Sequence, residues 1–306
     1  MSQVSKCQGT NKDGSFCEEN VDLRSIFSVQ DQQIRLSCDL GREIELLTYS
    51  YLPLEEVLSI FRYDIDTRDK IIKRYFKNLP SIFRASINGE LETVKYLISL
   101  GGKPTMIVLG NASRSGNLEL VKYLVHLGLE PDENTLNVAS SSGNLELVKY
   151  LVNLGIQPNK YTLNGASSNG NLELGIYLIS LGIKPDKNTL DIASDNGHLE
   201  LVVYLINLGI LPDKGTLRLA GAGGNLELMR YLISLGIKPD KDTLNNASYY
   251  GNIEIILYLI NLGIQPDIET LYLANRSGNL QLVVYLINFG IQPDKNTLKN
   301  AVQSGI

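Results

Sequence analysis

The chain is poor in the residues that carry chemistry. In 306 residues there are two histidines and three cysteines. His126 and His198 lie far along the chain from Cys7, Cys17 and Cys38. Cys7 and Cys17, within "KCQGTNKDGSFC", supply at most half of a zinc site, and a closed site needs four ligands. An odd number of cysteines with no pairing pattern is not a disulfide framework. No Gly-rich phosphate loop, HExxH or His–Cys pair is present. The sequence therefore predicts no catalytic residue, no metal and no cofactor, and a protein that is not an enzyme. A basic excess is also missing: 28 Lys and Arg against 33 Asp and Glu leave a net charge of −5, which argues against a general nucleic-acid binder. No apolar run reaches the ~18 residues of a membrane span. The first residues, "MSQVSKCQGTNKDG", lack the apolar core of a signal peptide. A cytoplasmic protein is the expectation.

What the chain has instead is self-similarity. Glycines recur every 27 residues, at Gly89, Gly116, Gly143, Gly170, Gly197, Gly224, Gly251, Gly278 and Gly305. Between them runs Gly-Asn-Leu-Glu-Leu-Val-x-Tyr-Leu-Ile-Asn-Leu-Gly-Ile-x-Pro-Asp-x-x-Thr-Leu-x-x-Ala-Ser-x-x, with few departures. Eight copies keep the tyrosine, from Tyr96 to Tyr285, and the proline, from Pro104 to Pro293. Each unit reads as two helices. The opening one starts at the threonine (Thr135, Thr162, Thr189), whose hydroxyl is expected to cap free N–H groups. The closing one runs from about Asn171 to Leu181, with Glu173 in its first turn and Gly182 as the left-handed stop. Its apolar residues cover most of the helix circumference, so it must be covered on several sides. One unit cannot bury enough apolar surface to order itself, and stacking of neighbours is required.

"GNLELVKYLVNLG" (Gly143 to Gly155) resembles the second helix of an ankyrin repeat. "TLNVAS" (Thr135 to Ser140) stands where that family opens with Thr-Pro-Leu-His-x-Ala, although the proline and histidine are missing. The resemblance implies an all-α, ankyrin-like solenoid of helix-turn-helix units that binds other proteins. An ankyrin unit has about 33 residues, and the shortfall lies between Gly182 and Thr189, where the family carries a β-hairpin finger. The wording of the units is similar to ankyrin-type arrays of giant viruses and amoebae, and the short Cys-to-Cys stretch to small N-terminal modules of giant-virus proteins; a viral source would place the protein in a host cytoplasm.

Three segments follow. Residues 1–30 form a polar N-terminal segment, residues 31–80 a helical capping region, and residues 81–306 an array of eight units plus a final opening helix. Ile34 to Leu52 looks like a worn copy of the unit. Leu52 to Phe76 is similar to an F-box, which would make the protein an adaptor to a ubiquitin ligase; capping helices over the first unit are the alternative. At the other end, Lys299, Asn300 and Gln303 give the last helix a polar outer face suited to a cap, with truncation as the competing reading.

Partner binding is expected where copies differ. On the opening helices the slots after the leucine and the serine hold Asp191, Asp195, Arg218, Tyr249, Tyr272 and Arg276, with Tyr250 alongside. Tyr and Arg are the types enriched in binding hot spots; the alternative is a set of tolerant surface positions. On the closing helices the slot before the tyrosine holds Lys95, Lys122, Lys149 and Arg230 in four units and Ile176, Val203, Leu257 and Val284 in the others. Such an apolar row fits contact with another chain or self-assembly, unless neighbouring side-chain stems cover it. The recurring glutamates (Glu119, Glu146, Glu173, Glu200, Glu227) are helix-start charges. His126 and His198 read as surface or turn residues, and the tyrosines as packing residues.

Overall fold

The computed structural model describes residues 53–60, 65–75, 79–295 and 297. The expectations for Cys7, Cys17, Cys38, residues 1–30, Ile34 to Leu52 and the residues after Thr297 lie outside these. The described residues belong to one compact unit, Leu52–Ile306. Every regular element among them is a helix: α1 (Leu54–Ile60), α2 (Ile65–Tyr75), α3 (Ile82–Ile87), α4 (Leu91–Ser99), α5 (Met106–Ser115), α6 (Leu118–His126), α7 (Glu133–Ser141), α8 (Leu145–Asn153), α9 (Lys160–Asn169), α10 (Leu172–Ser180), α11 (Lys187–Asp195), α12 (Leu199–Asn207), α13 (Lys214–Gly223), α14 (Leu226–Ser234), α15 (Lys241–Tyr249), α16 (Ile253–Asn261), α17 (Ile268–Arg276) and α18 (Leu280–Asn288). From α3 onward the odd-numbered helices open a unit and the even-numbered ones close it.

The closing helices are set by residues at their two ends. In α10 the Asn171 side chain accepts the Leu174 N–H at 2.9 Å, and Glu173 occupies the first turn. After Leu181 the chain turns through Gly182 at φ +94°, whose amide donates to the Ile179 carbonyl at 2.9 Å. The opening helices begin earlier than the threonine suggests. In α11 the N-cap is Asp186, which accepts the Thr189 N–H at 3.0 Å. Thr189 is three residues in, and its hydroxyl accepts the Asp186 N–H at 3.3 Å. The two residues form a capping box, with the roles of cap and partner reversed from the expected ones. The same box recurs at Asp132, Asn159, Asp213, Asp240 and Asp267. The opening helix therefore starts at Lys187, two residues before the threonine.

The units are tied by side-chain bonds as well as by apolar packing. The asparagine that caps a closing helix also reaches back one unit: Asn117, Asn144, Asn171, Asn225 and Asn279 donate to the carbonyls of Gly89, Gly116, Gly143, Gly197 and Gly251. The capping-box threonine reaches back too. Thr162 donates to Asn137 at 2.6 Å, Thr216 to Asp191 at 2.9 Å and Thr270 to Asn245 at 2.9 Å. Between them the apolar core passes from unit to unit in two clusters, Ala85 to Leu178 and Leu190 to Leu286, with the half-buried Ile179 packed against both; each unit adds residues such as Leu190, Ala193, Leu201, Val202 and Leu205, all fully buried. Opening helices pack backbone to backbone against their neighbours, while closing helices stand farther apart. Each unit is a wedge, narrow on the opening-helix side. Helices α7 and α9 approach closely, so that a Cβ on Gly165 would lie 2.9 Å from the Asn137 carbonyl oxygen.

Candidate protein-interaction face

The outer surface of the opening helices is the face left over once the leucine, alanine, serine and threonine slots are buried. Across α7, α9 and α11 it carries an open groove of about 450 Å³, lined by Asn137, Ser141, Tyr161, Asn164, Ile192 and Asp195 among others. Its floor exists because Gly165 has no side chain. Tyr161 stands at the rim, well exposed, with the Lys160 ammonium 5.1 Å from its ring centre. Serine and asparagine side chains dominate the walls, so the groove offers hydrogen bonds along with little charge.

Farther along, the same face changes character. Tyr249 and Tyr250, at the end of α15, are 40% and 55% exposed and meet edge to face with ring centres 5.1 Å apart. The Arg276 guanidinium lies 5.3 Å from the Tyr249 ring centre. Aromatic and guanidinium planes in such contact favour each other electrostatically. Tyr272 is half-buried and Arg218 exposed; the Arg218 carbonyl accepts a bond from Asn246.

The expected contact residues thus divide. Tyr249, Tyr250 and Arg276 come together, and Asp195 opens onto the groove. Asp191 is engaged in holding the array: it takes the Lys187 ammonium at 2.6 Å and the Thr216 hydroxyl. Lys187 also reaches Asp213 at 3.0 Å. Lys214 repeats the step to Asp240 at 3.3 Å and Lys241 to Asp267 at 3.0 Å. These pairs form an ionic edge along the starts of the opening helices. The Thr216 backbone N–H, with the Lys187 ammonium beside it, pulls the Asp213 carboxyl down to about 2. Burial opposes the charge of Lys187, but Asp191 and Asp213 outweigh it and raise its pKa.

The closing-helix face has a rule of its own. Each cation in the slot before the tyrosine covers the tyrosine of the next unit: Lys95 over Tyr123 at 5.5 Å, Lys122 over Tyr150 at 6.0 Å, Lys149 over Tyr177 at 5.9 Å and Arg230 over Tyr258 at 4.9 Å. In the apolar copies Ile176 and Val284 are exposed, whereas Val203 and Leu257 are half-buried, so the row is discontinuous. His126 is exposed on the last turn of α6. His198 stands in an asparagine slot and its Nε2 lies 3.0 Å from the Ser168 carbonyl.

Two features escaped the sequence reading. One is the double duty of the unit's asparagine, signalled only by its recurrence after the glycine. The other concerns α1, which lies within the F-box-like segment. Both Glu55 carboxylate oxygens accept N–H groups at the start of α4, from Glu92 at 2.9 Å and Thr93 at 2.6 Å. Leu54, Leu58 and Ile72 pack with Leu79 and Tyr96.

A family model of ankyrin repeats matches residues 82–162 and 136–216. Over residues 82–216 the repeats thus match ankyrin repeats. Among solved structures, the chain is similar to the crystal structure of the human ASB11 ankyrin repeat domain. Identity is 20%, the match covers 52% of this chain and 85% of that one, and the TM-score is 0.41. No curated protein sequence matches the chain. Ankyrin repeats generally mediate protein–protein interaction. These ankyrin units are of a shortened kind: between α10 and α11 there is no strand, so no hairpin finger projects over the opening helices. Among the described residues no helix is long and apolar enough to cross a membrane, and no cluster of His, Cys, Asp and Glu is arranged to hold a metal ion.

Proposed function

We propose that the protein is a non-catalytic scaffold that binds a partner protein along the outer face of its opening helices. The observation that carries this reading is the groove across α7, α9 and α11, continued by exposed Tyr and Arg side chains on α15 and α17. Loss of the hairpin finger leaves that surface open along its length. The ionic edge and the asparagine ties keep the helices in register, so the surface is preorganised and little ordering is lost on binding. Helices α1 and α2 serve as a cap of the array in this reading, supported by Glu55 on the start of α4 and by Leu54, Leu58 and Ile72 against Leu79 and Tyr96.

A peptide-display library selected on the full chain tests the reading. Selected binders should lose affinity with Ser168→Arg or Asp195→Lys and keep it with Ile176→Lys on the closing-helix face. The reverse pattern would move binding to the Ile176–Val284 row and favour self-assembly instead.

A further inference from the structure

The Tyr249–Tyr250–Arg276 cluster differs from the rest of the array in its electrostatics. In α15 and α17 the acidic residues Asp240, Asp242, Asp267 and Glu269 cap or open the helices. Tyr249 and Arg276 lie at the other ends of the same helices. A nine-residue helix at ~1.5 Å per residue separates them by about 13 Å, more than a Debye length at physiological salt. Among the described residues neither Arg276 nor Arg218 has a carboxylate within ion-pair distance, although the lysines of the ionic edge are all matched.

One substitution in the repeat accentuates this. Every closing helix from α4 to α16 has a glutamate in its first turn, where the helix dipole favours it. The closing helix that follows Arg276, α18, has Gln281 there and no acid in its first turn. The unit has dropped its recurring carboxylate five residues after the arginine. Arg276 in the last turn of α17 suits the dipole of that helix, but the dipole accounts neither for two exposed tyrosines nor for Gln281.

We propose that this cluster binds an acidic segment of the partner polypeptide, with a carboxylate held by Arg276 and the peptide's aliphatic stems laid on Tyr249 and Tyr250. The guanidinium carbon already lies over the Tyr249 ring, and a guanidinium presents N–H groups that match a carboxylate in a bidentate manner. Arg218 extends the positive end toward α13. This inference rests on the scaffold reading and adds the charge of the ligand to it.

The test is fluorescence anisotropy on the full chain with a labelled glutamate-rich peptide and its glutamine counterpart. The glutamate peptide should bind more tightly and weaken with added salt. Arg276→Gln should weaken it by about tenfold or more. Gln281→Glu restores what the other units carry, so the fold tolerates it, and it should weaken binding in the same direction. Arg114→Gln, in the equivalent slot of α5, should leave binding unchanged. Equal binding of both peptides, no binding of the glutamate peptide, or indifference to Arg276→Gln and Gln281→Glu overturns the proposal. If library-selected binders still depend on Ser168 and Asp195 in that event, the scaffold reading stands without it.

Discussion

The Arg68 guanidinium lies 5.1 Å from the centre of the Tyr96 ring, in the same chain offset at which Lys95 meets Tyr123. Helix α2 thus presents to the first unit what α4, α6, α8 and α14 present to the next. Burial raises the Tyr96 pKa, with Asp69 adding to it and Arg68 opposing, as expected of a covered ring. The arrangement lets the first unit bury a side that would otherwise face water.

The start of α4 depends on α1. Its own N-cap, Glu90, makes no side-chain cap bond, and Glu55 supplies the carboxylate from outside the unit. Glu55→Ala should cost about 1–2 kcal/mol, the usual range for a lost cap. Hydrogen exchange should show Glu92 and Thr93 losing protection while the amides of α10 do not change. Uniform protection across both helices would refute the dependence.

Asn171 joins two functions that substitution can separate. Asn171→Ala removes both the cap on Leu174 and the bond to Gly143, with an expected loss of about 2 kcal/mol in urea unfolding. Asn171→Asp retains an oxygen for the cap but has no N–H for the glycine carbonyl. Its loss should be intermediate; an aspartate variant as damaged as the alanine one would mean that the tie between units is the dominant part.

Asp213 predicts how the array responds to acid. Its folded pKa, about 2, is below the ordinary value of 3.8, so its contribution to stability is complete above the ordinary value. That contribution is lost as pH falls toward the folded one. The Asp132 carboxyl is lowered by the Thr135 backbone N–H and acts in the same direction. Thermal melts on the acid side should show a falling midpoint over this window. Asp213→Asn should flatten part of the fall and still fold, since Asn159 fills the same slot in α9. A variant with an unaltered pH profile would count against the ionic edge.

Gly165→Ala sets two effects against each other. Alanine is the better helix former by about 1 kcal/mol, but its Cβ would sit 2.8 Å from the Ser141 hydroxyl and 2.9 Å from the Asn137 carbonyl oxygen. The hydroxyl can turn away; the carbonyl is backbone and cannot. The clash should win, with a net loss of about 1–3 kcal/mol and a shallower groove. A stabilised variant would show that α7 and α9 can separate freely.

The closing helices were legible because both of their ends are marked: Asn171 and Gly182 bracket α10 to within a residue. The opening helices were misplaced at their starts because Asp-x-x-Thr has two readings, a turn followed by a cap or a box with the cap first. Only the paired bonds of Asp186 and Thr189 decide between them. Tyr249 and Arg276 could be grouped in advance, since equivalent slots of successive units must be neighbours. The engagement of Asp191 could not, because it depends on the register between α11 and α13. Likewise nothing local in "LPLEEV" marks Glu55 as the cap of a helix that starts at Leu91.

The backward ties of the asparagines make the array directional. Asn117, Asn144, Asn171, Asn225 and Asn279 each borrow a glycine carbonyl from the unit before. At these five positions, removing units from the C-terminal side leaves the asparagine's bonds intact, whereas removing the preceding unit strips it of its anchor. Fraying should therefore travel more readily from the N-terminal end, where a single borrowed carboxylate, Glu55, closes the series.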